Sequence, residues 1–196
     1  KMLSGKHRDL TLNRLGTFTS QDKSEVNLWS KLFKDSFKRI KPVTLQAYTV
    51  QPCPGRISFS EAIKGNFKDV KIGDRFGPSW STHWFNIRFE IPPDYSNEEL
   101  HLIWDSESEA LLFDENGVPL QGFLGSKGED RRAEYILKST GSVHLYVEMA
   151  CTAMFGNGTG NGWGGLGPTP TELNKTFELK QVEIAVFDRL AHDLLS

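Results

Sequence analysis

Residues 77–117 read GPSWSTHWFNIRFEIPPDYSNEELHLIWDSESEALLFDENG, and this stretch contains the clearest strand patterns in the chain. Apolar and polar side chains alternate over residues 85–91, and the alternation recurs over residues 100–104. A period of two is typical of a β-strand that has one face on a hydrophobic core. Asn116 and Gly117 form a dipeptide that favours a two-residue hairpin turn. The stretch therefore predicts a β-sheet that frames the whole domain.

Strand patterns continue on both sides of this stretch. Strands are predicted over residues 43–50, 84–91, 100–105, 109–114, 131–137, 142–149 and 176–187. In the last of them the apolar phase shifts between Leu179 and Val182, which predicts a β-bulge, because a one-residue slip would otherwise turn the core face outward. Many short strands without alternating helices favour an antiparallel β-sandwich.

Helical patterns lie mainly near the two ends of the chain. Thr11 is a candidate cap for a short N-terminal helix. Residues 24–40 carry apolar side chains at roughly helical spacing, which predicts one or two amphipathic helices. Their apolar face must be covered either by the β-domain or by another chain. A capped helical turn is also predicted at residues 60–63.

Asp188 is a candidate N-cap for a helix formed by the last residues of the chain. A helix so short at a free end is marginal in water, so we expect the native polypeptide to continue beyond Ser196. Three segments are predicted: a helical arm over residues 1–42, a β-sandwich domain over residues 43–187, and the start of a helix over residues 188–196 that leads to a downstream domain.

The composition narrows the class of protein. The chain has 196 residues and a formal net charge of −2, which gives no reason to expect binding to nucleic acid or to a membrane surface. No apolar run is long enough for a transmembrane helix, and the N-terminus lacks the apolar core of a signal peptide. Cys53 and Cys151 do not make a disulfide framework. We therefore expect a cytoplasmic globular protein with reduced thiols.

A glycine-rich loop over residues 156–170 contains a formal GxGxxG pattern. A phosphate-binding turn needs a helix to begin directly after the glycines, but two prolines follow here. A surface or interface loop is therefore the favoured interpretation. Because an exposed tryptophan at the tip of such a loop is costly, Trp163 is predicted to dock on a neighbouring domain or subunit.

Three carboxylates alternate in the sequence WDSESEALLF: Asp105, Glu107 and Glu109. On one strand face they could raise one carboxyl pKa for acid–base chemistry or hold a cation. The favoured interpretation is a solvated turn between strands, because no His or Cys lies nearby at ligand spacing. Arg131 and Arg132 are predicted to pair with some of these carboxylates.

The five histidines are scattered along the chain. His83 and His144 lie in strand patterns, and a structural role with satisfied hydrogen bonds is the favoured interpretation for both. His7 and Asp9 imitate a metal-binding pair, but they lie in a charged arm. Nucleophile signatures such as GxSxG are absent from the sequence. The residues alone therefore indicate no catalytic centre.

Six blocks of sequence resemble one enzyme family, in order and over nearly the whole chain. They are GPSWSTHWF (77–85), LIWDSESEALLF (102–113), GVPLQGF (117–123), RRAEYIL (131–137), YVEMACTAMFG (146–156) and FELKQVEIAVF (177–187). The segments KHRDLTLNRL and SEVNLWSKLF near the N-terminus fit the same family. The chain resembles the N-terminal region of the cytosolic and vacuolar branch of glycoside hydrolase family 38 α-mannosidases, as found in fungi and animals.

The resemblance implies a jelly-roll-like, galactose-binding-domain-like β-sandwich that precedes a catalytic domain. The parent enzyme would release terminal α-linked mannose from free oligosaccharides with retention, through an attacking aspartate and a second carboxylic acid that protonates the leaving oxygen. A divalent metal, usually zinc, would be held by His and Asp side chains of the downstream domain. The GHAHID-like metal motif of the family does not occur here, so no catalytic, cofactor or metal residue is assigned to this chain.

The resemblance also implies partners and a location. Such enzymes assemble as homo-oligomers, typically tetramers, and fungal members pass from the cytosol to the vacuole. The domain could pack on its own downstream catalytic domain and build the oligomer, bind mannose-containing oligosaccharides as a carbohydrate-binding module, or dock residues 1–40 on a transport receptor or another partner. The candidate interface or sugar-contacting residues are Trp80, Trp104, Asp105, Glu109, Arg131 and Trp163.

Overall fold

The computed structural model describes residues 7–20, 27–33, 38–125, 132–138, 141–153 and 172–195 of the chain. The α-helices in these ranges are α1 (Arg8–Thr19), α2 (Phe59–Ala62) and α3 (Arg189–Leu195). Short 3₁₀ helices cover Trp29–Lys31 and Pro93–Tyr95. None of the helices described is long and apolar enough to cross a membrane.

The same ranges contain twelve β-strands. They are β1 (Arg39–Ile40), β2 (Thr44–Thr49), β3 (Lys68–Asp69), β4 (Arg75–Phe76), β5 (His83–Glu90), β6 (Leu100–Asp105), β7 (Ala110–Asp114), β8 (Pro119–Phe123), β9 (Glu134–Ile136), β10 (Ser142–Met149), β11 (Phe177–Glu178) and β12 (Gln181–Val186).

The strands form two large antiparallel sheets and one small pair. The six-stranded sheet has the order β3-β2-β5-β10-β7-β8, and the four-stranded sheet has the order β1-β12-β6-β9. Strands β4 and β11 pair separately. This arrangement confirms the predicted antiparallel β-sandwich, in which two sheets bury their apolar faces against each other.

The hydrophobic core contains side chains from both large sheets. Phe85 and Ile87 of β5 and Trp104 of β6 are fully buried in one cluster. The rings of Phe85 and Trp104 meet edge to face, with centroids 5.0 Å apart. Burial alternates along β5 from Phe85 to Glu90, as the period of two predicts.

The hairpin predicted at Asn116 and Gly117 joins β7 to β8. Gly117 has a φ of +83°, which lies in the left-handed region that glycine adopts without steric cost. Asp114 closes the turn, because its Oδ1 accepts hydrogen bonds from the backbone N–H groups of Asn116 and Val118 at 2.9 and 2.8 Å. The connection covers residues 115–118 and is therefore longer than the predicted two residues. The carboxylate of Asp114 stabilises it through these two hydrogen bonds.

The β-bulge predicted in the last strand is wrong. The segment contains two strands, of which β11 pairs with β4 and β12 pairs with β6. Between them, the backbone N–H of Lys180 donates to the carbonyl of Asp105 at 2.8 Å. Phe177 before this change and Val182 after it are buried in the same core. The shifted apolar phase therefore marks a change of partner strand, and a register irregularity lies instead in the β7–β8 pair after Leu112.

The helices near the N-terminus differ from the prediction. Helix α1 begins at Arg8, and Thr11 lies within its first turn, where its backbone N–H donates to the His7 carbonyl at 2.9 Å. Thr11 is therefore not the cap. The amphipathic helix predicted over residues 24–40 is also wrong in the described part of that segment, which contains one 3₁₀ turn and then β1.

The apolar side chains of that segment pack on this chain. Leu28 and Leu32 are buried in a cluster with Phe187 and Ala191. Strand β1 pairs with β12, and Phe33 forms an isolated β-bridge with Phe187. These pairings hold the backbone extended at Phe33 and at β1, which excludes a continuous helix over the segment. Of the two coverings that the sequence left open, the β-domain with α3 is the one observed for these residues.

The C-terminal helix begins where the sequence predicts. Asp188 Oδ1 accepts a hydrogen bond from the backbone N–H of Ala191 at 3.0 Å, which caps α3. The Arg189 guanidinium lies 4.9 Å from the Phe187 ring centroid and pairs with Glu99. The predicted turn at residues 60–63 is likewise close to α2, which has Ser58 as its cap.

Candidate functional site

One end of the sandwich collects loops from both large sheets. Four neighbouring strands of the six-stranded sheet place one residue each side by side here: Thr49, His83, Met149 and Ala110. The loops that adjoin these residues therefore share this end of the sheet. The last residue of β6, Asp105, and the first of β12 face each other there too. We call this region the loop end, formed by residues 50–58, 77–82, 105–109 and 150–153.

The loop end contains strained backbone. Trp80, Glu107 and Cys151 have φ angles of 67°, 56° and 43°, and they are the non-glycine residues with positive φ in the described part of the chain. Such conformations cost about 1–3 kcal/mol each and persist only where neighbouring structure holds them. Strain of this kind collects at binding and catalytic sites, which makes the loop end the first candidate for function.

Trp80 is presented to solvent by a fixed loop. Its side chain is 47% exposed, although its backbone N–H donates to the Cys151 carbonyl at 3.1 Å. The adjacent Ser79 donates from its backbone N–H to the Leu173 carbonyl at 3.1 Å and from its hydroxyl to the Glu172 carbonyl at 2.5 Å. These bonds hold an exposed aromatic ring in place, so the predicted contact residue Trp80 is available to a partner.

A buried polar cluster supports this loop from below. His83 is buried, with its Nδ1 3.0 Å from Thr49 Oγ1 and its Nε2 2.8 Å from Ser81 Oγ. Burial lowers the pKa of His83 to about 4, so its ring is neutral at pH 7. The structural role predicted for His83 agrees with these contacts.

Cys151 lies in the same region and is not an activated nucleophile. Burial raises the pKa of its thiol to about 11, which keeps it protonated at pH 7. Neither Cys151 nor Cys53 forms a disulfide bond. Cys151 therefore offers no thiolate for catalysis at neutral pH.

The carboxylate turn is buried rather than solvated. Asp105 is 5% exposed, and Ser106 and Ser108 are fully buried. Asp105 Oδ1 accepts a hydrogen bond from the backbone N–H of Glu107 at 3.1 Å, which stabilises the left-handed conformation there. The prediction of a solvated turn is wrong because the turn lies between the two sheets, where it links β6 to β7.

Glu107 has a structural partner. Burial raises the pKa of its carboxyl group, but an ion pair with Lys180 at 2.5 Å and a backbone hydrogen bond from Glu178 at 3.0 Å together lower it. Lys180 is therefore the partner of Glu107, and the predicted pairing of Arg131 lies outside the described residues. In the described part of the chain, no three His, Cys, Asp or Glu side chains are placed to hold a metal ion.

The other predicted contact residues divide into two groups. Trp104 is fully buried, and its Nε1–H donates to Ser106 Oγ at 3.0 Å, so its ring offers no surface to a sugar. Glu109 is half-buried, and its backbone N–H donates to the Thr152 carbonyl at 2.8 Å. Arg131 and Trp163, together with the glycine-rich loop, lie outside the described residues.

Helix α1 presents a second exposed apolar surface. Leu10, Leu12, Leu15 and Phe18 are 46–53% exposed, and no residue of α1 is buried. The helix is attached at its end, where the Trp29 indole N–H donates to the Thr19 carbonyl at 3.0 Å. At 100° per residue, Leu12, Leu15 and Phe18 lie on one side of the helix, whereas Leu10 lies nearly opposite Leu12. A patch of exposed large apolar side chains is a feature of protein interaction sites.

A third feature was not identified from the sequence. On the outer face of the six-stranded sheet, residues Arg56, Phe59, Trp84, Phe113 and Glu148 line a cleft of about 440 Å³. Glu148 lies between the buried residues Val147 and Met149 of β10 and faces away from the core. The approach of residues 56–59 to this face depends on long-range packing. We call this the Glu148 cleft.

The chain matches known proteins along most of its length. The family model described as "Alpha-mannosidase, jelly roll domain" matches residues 41–185. Alpha-mannosidase G of Dictyostelium discoideum is 37% identical over 194 residues, which are 96% of this chain and 17% of that protein. Alpha-mannosidase 2C1 of Mus musculus is 36% identical over 197 residues, which are 97% of this chain and 17% of that protein. The chain thus spans about a sixth of the length of these relatives.

Among solved structures, a β-glucuronidase of Ruminococcus gnavus superposes with a TM-score of 0.48 at 10% identity. The superposition covers 79% of this chain and 29% of that chain.

Proposed function

Because this chain belongs to the jelly-roll domain family of α-mannosidases, we propose that it is the non-catalytic N-terminal domain of a larger α-mannosidase, where it packs on the catalytic domain and contributes to the oligomer. The relatives have about six times the length of the chain, so most of such a polypeptide lies outside it. The absence of the GHAHID-like motif from the sequence supports a catalytic centre elsewhere in the parent protein.

The observation that carries this proposal is the exposed apolar surface of α1. Its four large apolar side chains are each about half exposed. Burying the remaining half of one such side chain stabilises an interface by roughly 1 kcal/mol, so the three that share one side, Leu12, Leu15 and Phe18, favour association by roughly 3 kcal/mol. The rest of the parent polypeptide, in the same or a neighbouring subunit, is the occupant that we propose for this surface.

Trp80 supports a second contact at the loop end. Its strained backbone is held by bonds to residues on two other loops, and its ring is exposed. Tryptophan is enriched among the residues that dominate binding energy at protein interfaces. We therefore place the rim of the contact with the catalytic domain at Trp80.

The chemistry that we propose for the parent enzyme is retaining hydrolysis of terminal α-linked mannose from free oligosaccharides, as in glycoside hydrolase family 38. Zinc would be bound by the downstream domain. A homotetramer in the cytoplasm, with delivery to the vacuole or lysosome, completes the proposal. Docking of α1 on a transport receptor is the alternative use of the same surface.

The experiment replaces the apolar surface of α1 in the parent protein. Serine is introduced together at Leu12, Leu15 and Phe18, and the matched control is Val118→Ser, which is 53% exposed on the β7–β8 turn. We expect the triple variant either to lose subunits, which light scattering detects as a lower mass, or to lose contacts with the catalytic domain, which lowers the melting temperature. The control should behave as the wild type in both measurements. An intact oligomer with unchanged melting temperature would contradict the proposal.

A further inference from the structure

The Glu148 cleft lies on the face of the six-stranded sheet that points away from the main core. Glu148 of β10 is directly opposite Trp84 of β5, and the segment that leads into α2 passes over them. The cleft volume of about 440 Å³ lies within the range of small-molecule sites, roughly 300–1,000 Å³. Nothing in the proposed packing role uses this face.

The aromatic wall of the cleft is rigid. The ring centroids of Phe59, Trp84 and Phe113 lie 5.1–5.9 Å apart. Phe59 also meets the Tyr146 ring edge to face at 5.3 Å. On its other side Phe59 touches Gly117 so closely that a Cβ there would lie 2.8 Å from Phe59 Cε1. The wall is therefore preformed, which lowers the entropic cost of binding a ligand.

Two residues that line the cleft have polar groups with capacity for further hydrogen bonds. The Trp84 indole N–H is buried and has no hydrogen-bond partner within the described residues. The carboxylate of Glu148 is 13% exposed, and its contact in the same part of the chain is an ion pair with Arg56 at 3.8 Å, which is too long for a hydrogen bond. Native proteins rarely leave buried donors unsatisfied, so Trp84 itself points to an absent partner.

The charges around these groups restrict the chemistry of that partner. Burial raises the pKa of Glu148, and the nearby Arg56 opposes the rise. A bound anion would be repelled by the carboxylate, and a bound cation by the guanidinium. A neutral ligand whose groups both donate and accept hydrogen bonds would be opposed by neither charge.

We propose that the Glu148 cleft binds a single pyranose ring. Its hydroxyl groups would donate to Glu148 and accept from Arg56 and from the Trp84 indole, while its C–H face packs on Phe59. Because the indole nitrogen is closed to bulk water, residues 56–58 must move outward as the sugar enters, while Phe59 stays in the wall. The described residues that line the Glu148 cleft include neither Trp80 nor Trp104, so this site is separate from the glycan contacts predicted for those two tryptophans.

The choice of sugar rests on the proposed mannosidase parent, and methyl α-D-mannoside is the probe. We expect a dissociation constant of about 1 mM, which suits a ligand of this size. The readout is the set of five indole N–H resonances of this 196-residue chain during titration, with Trp84→Phe used to assign the relevant peak. The Trp84 resonance should shift downfield, whereas that of Trp104, which already bonds Ser106, should stay unchanged.

A matched pair of variants completes the test. Glu148→Gln keeps the size of the side chain but removes the carboxylate, and we expect at least tenfold weaker binding. Glu90→Gln, on the exposed part of β5, should bind as the wild type. A mannoside that shifts Trp80 but leaves Trp84 unchanged, or that shifts no indole at about fifty times the expected dissociation constant, would overturn the cleft proposal. Either outcome leaves the packing proposal standing, because that proposal is tested on α1.

Discussion

Gly117→Ala tests the packing that forms the wall of the Glu148 cleft. The substitution forces alanine into a backbone with φ of +83°, and it places a methyl group against the Phe59 ring. The left-handed conformation costs about 1–2 kcal/mol for a non-glycine residue. Overpacking adds roughly 1–3 kcal/mol when a ring must move out of a packed cluster. The reduced entropy of the unfolded chain returns about 0.4–1 kcal/mol. We therefore expect a net destabilisation of about 2–4 kcal/mol.

Gly141→Ala is the matched control for this prediction. Gly141 has a φ of +79°, but a Cβ built there meets no atom within 4 Å. It should therefore show the backbone cost alone, about 1 kcal/mol. Urea unfolding monitored by circular dichroism gives both values on the same scale. Equal destabilisation of the two variants would refute the contact between the β7–β8 turn and Phe59, and with it the preformed wall.

Three further predictions concern stability and reactivity. Burial lowers the pKa of His83 to about 4 in the folded state, from about 6.5 in the unfolded state, so the unfolded state binds the additional proton as the pH falls. The free energy of unfolding should therefore fall by about 2 kcal/mol between pH 7 and pH 5. Urea titrations should show this slope, and His83→Gln should flatten it. In the native chain, the buried Cys151 should react with iodoacetamide at least about 100-fold more slowly than the half-exposed Cys53. Peptide mass spectrometry measures both rates, and comparable rates would contradict the burial of Cys151. Gly16→Ala should stabilise α1 by up to about 1 kcal/mol, because no atom lies within 4 Å of the new methyl group, and amide exchange in α1 should slow accordingly.

The sequence predicts the strands well because the period of two is a local property. Residues 85–91 alternate between buried and more exposed side chains in the structure, as apolar and polar residue types alternate in the sequence. The same logic identified the hairpin at Gly117 and the cap at Asp188, which depend on residues only a few positions apart. Local chemistry therefore accounts for most of the sandwich.

The structure departs from the local sequence patterns where distant segments compete for the same backbone. The helical spacing around Leu28 and Leu32 is real, but pairing with β12 and contacts to Phe187 keep much of that segment out of a helix. The phase shift after Leu179 was interpreted as a bulge, because one sequence cannot show that the chain changes its partner strand. Both departures reflect tertiary packing that overrides local propensity.

The candidate sites show the same division. Exposed Trp80 was found from its residue type, whereas Asp105 turned out to be buried. The Glu148 cleft depends on the approach of Phe59 to Trp84 across an aromatic cluster, and no spacing rule predicts that approach. The sequence feature that best indicates the cleft is Trp84, an aromatic residue with an N–H donor at a strand position that faces away from the main core.

Hydrogen exchange tests the central claim most directly, namely that this jelly-roll domain packs through α1 and Trp80 on the rest of an α-mannosidase. Amide exchange of residues 8–19 and 79–82 is compared between this chain alone and the parent protein that contains it. The account predicts at least about tenfold slower exchange at both segments in the parent, because docking buries them. Identical exchange rates in the two proteins would contradict it.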